Sequence, residues 1–136
     1  MPRGPAEQQK EEVVRAYFQR VTQGDVEGIL ELFHDNAMVI HPLTEKGIKG
    51  KAALRAFYQN LTANLVDYSA SPTDIVIEGD KVVAPLHLEG KTRDRQPIVM
   101  NNLNFYTFAG GKIQSLRIYM DTYPYRAALS GTLRSE

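Results

Sequence analysis

The sequence predicts an α+β fold, and three observations carry that prediction. Apolar residues recur at helical spacing in three successive stretches. Beyond them the apolar period falls to two, the signature of strands. Turn residues then divide the second half of the chain into hairpin-length segments. The 136 residues amount to one domain's worth of chain, with no internal repeat, low-complexity tract or linker. A single domain over residues 1–136 is therefore expected, with flexible tails at 1–6 and 127–136.

Val13, Val14, Tyr17, Phe18 and Val21 form one helical stripe, and Gly24 is placed to end it. Asp25 stands where an N-cap belongs, ahead of Val26, Ile29, Leu30 and Phe33 on a second helix. His34-Asp35-Asn36 breaks that helix, and residues 37–41 read as a short strand stopped by Pro42. Residues 44–50, polar and carrying two glycines, read as a loop. Leu54, Phe57, Tyr58 and Leu61 then give the i, i+3, i+4, i+7 pattern of a third helix. Strands are expected at 73–78 and 81–90 around the turn Gly79-Asp80, and at 98–108 and 112–121 around residues 109–111. One layer of helices on one antiparallel sheet encloses a core only if the sheet curves.

Sixteen Lys and Arg balance sixteen Asp and Glu, so nothing draws the chain as a whole toward nucleic acid or an anionic membrane. The absence of cysteine excludes disulfides, thiolate nucleophiles and Cys-ligated metals. His34, His41 and His87 are too scattered to suggest a metal site, and no cofactor is expected. No run approaches the ~18 apolar residues of a membrane span, and the opening residues lack a secretory h-region, so a cytoplasmic protein is expected. There is no glycine-rich phosphate loop, no Gly-x-Ser-x-Gly elbow and no dinucleotide fingerprint. Glu7, Lys10, Glu11 and Glu12 read as the solvated face of the first helix, and Arg93-Asp94-Arg95 as a hairpin tip.

Alternation sorts the strand residues into two faces. Val82, Ala84, Leu86 and Leu88 are assigned inward, which sends His87 outward. Met100, Asn102, Asn104 and Tyr106 share one face of the next strand. With Leu116, Ile118 and Met120 inward, Asp121 points outward unless a bulge turns it back. His34 is expected near the carbonyl end of the second helix, where an imidazole is favourable without catalysing anything.

Residues 12–33, with their Gly24-Asp25 turn and Leu32-Phe33, closely resemble the opening of the NTF2-like superfamily. The strand ending His41-Pro42 and the helix Gly50-Lys-Ala-Ala-Leu-Arg-Ala-Phe-Tyr58 follow at the spacing of its ketosteroid isomerase and SnoaL-like branch. The likeness covers roughly residues 10–122 and implies a cone: a curved antiparallel sheet around a long helix, with an apolar pocket at one end and often a homodimer. Isomerases of this branch use an aspartate base, an oxyanion tyrosine and a protonated aspartate. At the corresponding positions this chain has Tyr17 as the oxyanion tyrosine and Tyr58 as its supporting tyrosine. The base position holds His41 instead of aspartate, and the second oxyanion donor falls nearest Asn104. An amide donates hydrogen bonds at any pH, and a histidine takes a proton near neutrality, so both changes keep a base opposite two donors. SnoaL-like cyclases carry a catalytic aspartate late in the last strand, which makes Asp121 a further candidate and a His41–Asp121 pair conceivable.

The resemblance therefore implies a cofactor-independent enzyme acting on an apolar, carbonyl-bearing small molecule such as a steroid, terpenoid or polyketide intermediate. His41 would move the proton, Tyr17 and Asn104 would hold the oxygen, and Asn102 and Tyr106 would join the apolar set and Tyr58 around the substrate. Cyclisation, dehydration and epoxide opening are the alternative reactions, and a ligand-binding protein without chemistry is the alternative class.

Overall fold

The computed structural model describes residues 3–42, 44 and 46–122, so the tail expected at 127–136 lies outside the described residues. Helix α1 (Pro5–Gln23) begins eight residues before its apolar stripe, because Gly4 caps it and Pro5 occupies the first turn, where no amide hydrogen is needed. The lead expected at residues 1–6 therefore overlaps α1 at residues 5 and 6. Arg3 pairs with Glu11 at 2.9 Å and donates to the carbonyl of Ile75, tying the N-terminal segment across the domain. Gly24, at φ 70°, ends α1 in the left-handed conformation that glycine adopts without strain.

Asp25 caps α2 (Val26–Glu31), accepting a hydrogen bond from the Gly28 amide at 3.0 Å. That helix stops two residues sooner than expected, and β1 runs over Phe33–Ile40. His34, Asp35 and Asn36 do not break the chain; they sit at an irregularity in β1, where pairing shifts between Phe33 and Met38. The His34 ring donates to the carbonyl of Ala109, so this histidine joins two strand ends and does not serve a helix terminus. The supposed loop at 44–50 contains β2 (Ile48–Lys49), which pairs with Met38 and Val39.

Helix α3 (Lys51–Asn64) leads into β3 (Leu65–Pro72), a strand the apolar pattern did not reveal. Four further strands follow: β4 (Val76–Glu78), β5 (Lys81–Thr92), β6 (Pro97–Ala109) and β7 (Lys112–Tyr119). The sheet runs β2-β1-β7-β6-β5-β3, with β4 paired to β5. All of these pairs are antiparallel except β1 with β7, which is parallel, so the sheet is not a pure meander.

Side chains on the inner face fall into rows across the strands. Val39, Leu116, Tyr106 and Val82 form one row by register and are fully buried. Ile118, Asn104 and Ala84 form the next row, Asn102 and Leu86 the third, and Met100 and Leu88 the fourth. Helix α1 packs Val14, Tyr17, Phe18 and Val21 into this concavity, with Leu54 and Tyr58 of α3 beside them.

The curvature has a local cause. Pairing of β3 with β5 shifts between Val66 and Ser69, and Asp67 there has φ 48°, so two residues oppose one and the strand bends. The residue opposite is Gly90. A Cβ at Gly90 would stand 2.4 Å from Tyr68 Cβ and 3.0 Å from its Cα. The clash is with backbone as well as side chain, so Gly90→Ala is expected to destabilise the fold by ~1–3 kcal/mol. Urea denaturation measures this, and an unchanged midpoint would show that β3 can move away.

Candidate active site

Four inner-face elements and two helices converge on one cavity of about 60 Å³. Its wall is apolar over most of its extent: Phe18 and Val21 of α1, Leu61 of α3, Leu65 and Ala70 of β3, Leu86 and Leu88 of β5, Met100 of β6, Ile118 of β7, and Met120 just beyond it. Four polar side chains interrupt that wall: Tyr17, His41, Asn102 and Asn104. Each is nearly removed from solvent, at 4%, 5%, 9% and 3% exposure respectively. Burying polar groups costs free energy unless they find partners, so a cluster of four on an apolar wall calls for an account of each.

Tyr17 reaches the cavity because its position on α1 faces the sheet. Its hydroxyl is 2.8 Å from that of Tyr58. Its ring meets Phe18, Phe33, Tyr58 and Tyr106 edge to face, at centroid separations of 5.5 to 6.2 Å. Burial raises the pKa of Tyr17 well above the usual phenol range, and Tyr58 and Tyr106 shift the same way for the same reason. All three hydroxyls therefore remain protonated donors across the working pH range.

Asn104 enters from β6, and its amide nitrogen donates to the Tyr106 hydroxyl at 3.0 Å. An amide nitrogen carries two hydrogens, so one remains for a ligand. Asn102 lies two residues away on the same face.

His41 follows the last residue of β1, and Pro42 then turns the chain. The turn is held by Thr44, whose amide and hydroxyl donate to the His41 carbonyl at 3.0 and 2.8 Å. The imidazole packs against Phe57 with centroids 5.3 Å apart. Burial lowers its pKa to about 4, so the ring is neutral at neutrality and can accept a proton there.

Not every residue expected at the site lines the cavity. Tyr58, Val82, Ala84, Tyr106 and Leu116 are fully buried in the core, outside the wall. The reason is the row order: Val82, Tyr106 and Leu116 lie one row below Asn104, under the rings of α1 and α3. Tyr58 and Tyr106 touch the site only through their hydroxyls. Asp121 is exposed and outside the wall, because β7 ends at Tyr119 and no strand bulge carries the carboxylate back. His87 is on the outer face as expected, bonded to Asn101 and Glu89 at 2.8 Å each.

Phe18, Val21, Leu61, Leu65, Ala70 and Met100 line the cavity without having been singled out. Phe18 and Val21 share the Tyr17 stripe and Met100 shares the Asn102 face, so both signals were present. Leu65 and Ala70 belong to the unrecognised β3. Among the described residues, no group of three or more His, Cys, Asp or Glu is placed to hold a metal ion. No helix among them is long and apolar enough to cross a membrane.

The family model for the SnoaL-like domain matches residues 14–116, which include α3, the part of α1 that carries Tyr17, Phe18 and Val21, and all the strands that wall the site except the end of β7. The chain belongs to the SnoaL-like family. This SnoaL-like chain is 42% identical over 52 residues to the epoxide hydrolase LasB of Streptomyces lasalocidi. That match spans 38% of the chain but only 18% of LasB. Over 87% of the chain and 95% of the other, it superposes with TM-score 0.76 and 29% identity on SalBIII, an epoxide hydrolase/cyclase-like enzyme with a role in pyran ring formation in the polyether salinomycin. A protein with a ketosteroid isomerase-like fold from Catenulispora acidiphila DSM 44928 superposes with TM-score 0.80 at 16% identity, over 88% of this chain and 92% of that one. The α+β cone expected from the resemblance is thus the fold of this SnoaL-like protein.

Proposed function

We propose that this SnoaL-like protein is a cofactor-independent catalyst of proton transfer on an apolar small molecule bearing a carbonyl group. The observation that carries the reading is one apolar cavity walled by a neutral imidazole, a protonated tyrosine and an amide donor. His41 removes a proton from the carbon next to the carbonyl. The C–H electron pair becomes the C=C bond of an enolate, and the carbonyl π pair moves to oxygen. Tyr17 and Asn104 donate to that oxygen, where negative charge develops. Where the substrate carries a C=C bond one carbon further along, the intermediate is a dienolate. The carbonyl then re-forms, the C=C shifts into conjugation with it, and the far carbon takes the proton from the imidazolium, which completes an isomerisation.

The names of the relatives favour a second reading, epoxide opening or cyclisation: LasB is an epoxide hydrolase, and SalBIII is epoxide hydrolase/cyclase-like with a role in pyran ring formation. Epoxide opening fits the described wall less well, because it calls for an acid at the epoxide oxygen. The groups available there are a neutral imidazole and a phenol whose acidity burial has weakened.

Enolate formation can be tested without the cognate substrate. Incubation of the protein with 1-tetralone in deuterated buffer is expected to replace the hydrogens next to the carbonyl with deuterium faster than buffer does, followed by NMR. Failure to accelerate exchange in 1-tetralone and in a set of larger polycyclic ketones would overturn the reading.

A further inference from the structure

Asn102 is the one polar group of the cavity that the mechanism leaves unused, and its carbonyl oxygen is buried without any hydrogen-bond partner. Every other described side-chain nitrogen or oxygen buried as deeply has one. A buried orphan of this kind destabilises a fold by ~1–3 kcal/mol, so a residue serving only the architecture is more stable as an apolar side chain. Rotating the amide by half a turn does not remove the problem, since it would bury a donor where the acceptor stood. Across the sheet stands Leu86, and along β6 on the same face stand Met100 and Asn104, none of which bonds the Asn102 oxygen.

We infer that Asn102 binds a hydroxyl group carried by the substrate, at a point one row away from the carbonyl. A hydroxyl both donates and accepts, so it satisfies the amide in either rotation. Residues two apart on a strand are separated by ~7 Å, which sets the distance between the oxygen held at Asn104 and the hydroxyl held at Asn102. The hydroxyl lies on the side of Met100 and Leu88, the row beyond Asn102. The substrate is then a hydroxy-ketone: apolar along its length, with a carbonyl at one end and a hydroxyl a ring system away. This inference rests on the proposed carbonyl site at Tyr17 and Asn104.

The test compares binding of 6-hydroxy-1-tetralone with 1-tetralone by titration calorimetry. These probes share the carbonyl and differ by one hydroxyl on the far ring. Wild-type protein is expected to bind the hydroxy-ketone about tenfold more tightly, the gain from satisfying an otherwise orphaned group. Asn102→Leu is expected to lose the preference, binding the two probes alike, and to have an equal or higher Tm. Tyr17→Phe is expected to weaken both probes alike and leave their ratio unchanged. Equal affinities in wild-type protein, or a preference that survives Asn102→Leu, would overturn the inference while leaving the carbonyl site standing. A lower Tm for Asn102→Leu would also overturn it, by showing that the amide serves the fold. Absence of binding by either probe would overturn both readings together, and insensitivity of both probes to Tyr17→Phe would place the fault in the carbonyl site.

Discussion

His41→Ala is expected to reduce deuterium uptake next to the carbonyl of a bound ketone by ~10²–10⁴-fold, the usual contribution of a positioned general base. Among the groups that wall the cavity, the imidazole is the one able to take a proton at neutrality. Tyr17 is a donor held protonated by burial, and the two amides do not titrate. Truncation also leaves a gap beside Phe57, so a fall in rate needs a control for packing. Free imidazole supplies it. If the variant has lost a base, added imidazole restores part of the rate, whereas a packing defect is not repaired by a base in solution. A variant that exchanges deuterium at the wild-type rate would remove His41 from the mechanism.

The pH profile gives the same residue a sharper signature. A histidine with its ordinary pKa near ~6.5 would lose activity through slightly acidic pH. With a pKa of about 4, the His41-dependent rate is expected to stay flat from neutrality to about pH 5 and to fall only near pH 4. Folding itself responds over that interval. The unfolded chain binds a proton at His41 below ~6.5 and the folded chain resists it, so stability is full above that pH and declines as pH falls toward 4, by up to ~3 kcal/mol. His87 acts with the opposite sign, since its bonds to Asn101 and Glu89 raise its pKa; its contribution is present in acid and lost as pH rises. Circular dichroism through the titration separates loss of base from loss of fold.

The parts of this architecture legible in the sequence are those governed by local periodicity. The stripe on α1 announced a helix and put Tyr17 on its buried face, and strict alternation put Asn102 and Asn104 together on β6. Alternation tells which face a residue takes but not its height in the cone. Val82, Ala84, Leu86 and Leu88 therefore looked equivalent, yet only Leu86 and Leu88 reach the cavity; Val82 lies a row below Asn104, and Ala84, level with Asn104, is fully buried outside the wall. Strand β3 escaped notice because only Leu65 and Ala70 of its eight residues are buried, and they lie five apart across a bulge that interrupts the period of two. The two-residue β2 and the parallel contact of β1 with β7 are created by partners distant in sequence, and no local pattern encodes them. Asp121 shows the converse: the expected strand continued through it, but pairing with β6 stops at Tyr119.

Tyr17→Phe is expected to lower the exchange rate by ~10²–10³-fold, the typical loss when one donor to a developing oxyanion is removed. The reason lies in what surrounds the hydroxyl. It is held 2.8 Å from Tyr58 at a position nearly removed from solvent, so it is aimed before substrate arrives and costs no reorganisation during the reaction. Removing it also strands the Tyr58 hydroxyl, which is fully buried, and a stability loss of ~1–3 kcal/mol should accompany the kinetic one. Tyr58→Phe separates the two effects. It strands a hydroxyl in the same place but leaves the Tyr17 donor in the cavity, so it should cost comparable stability and far less rate. The hydroxyl bonds the ketone oxygen and bonds the enolate oxygen more strongly, so ketone affinity and kcat are both expected to fall, whereas a contact made to the ketone alone would spare kcat. Equal rate losses in Tyr17→Phe and Tyr58→Phe would mean that the tyrosine pair acts through packing, and the oxyanion role would pass to Asn104 alone.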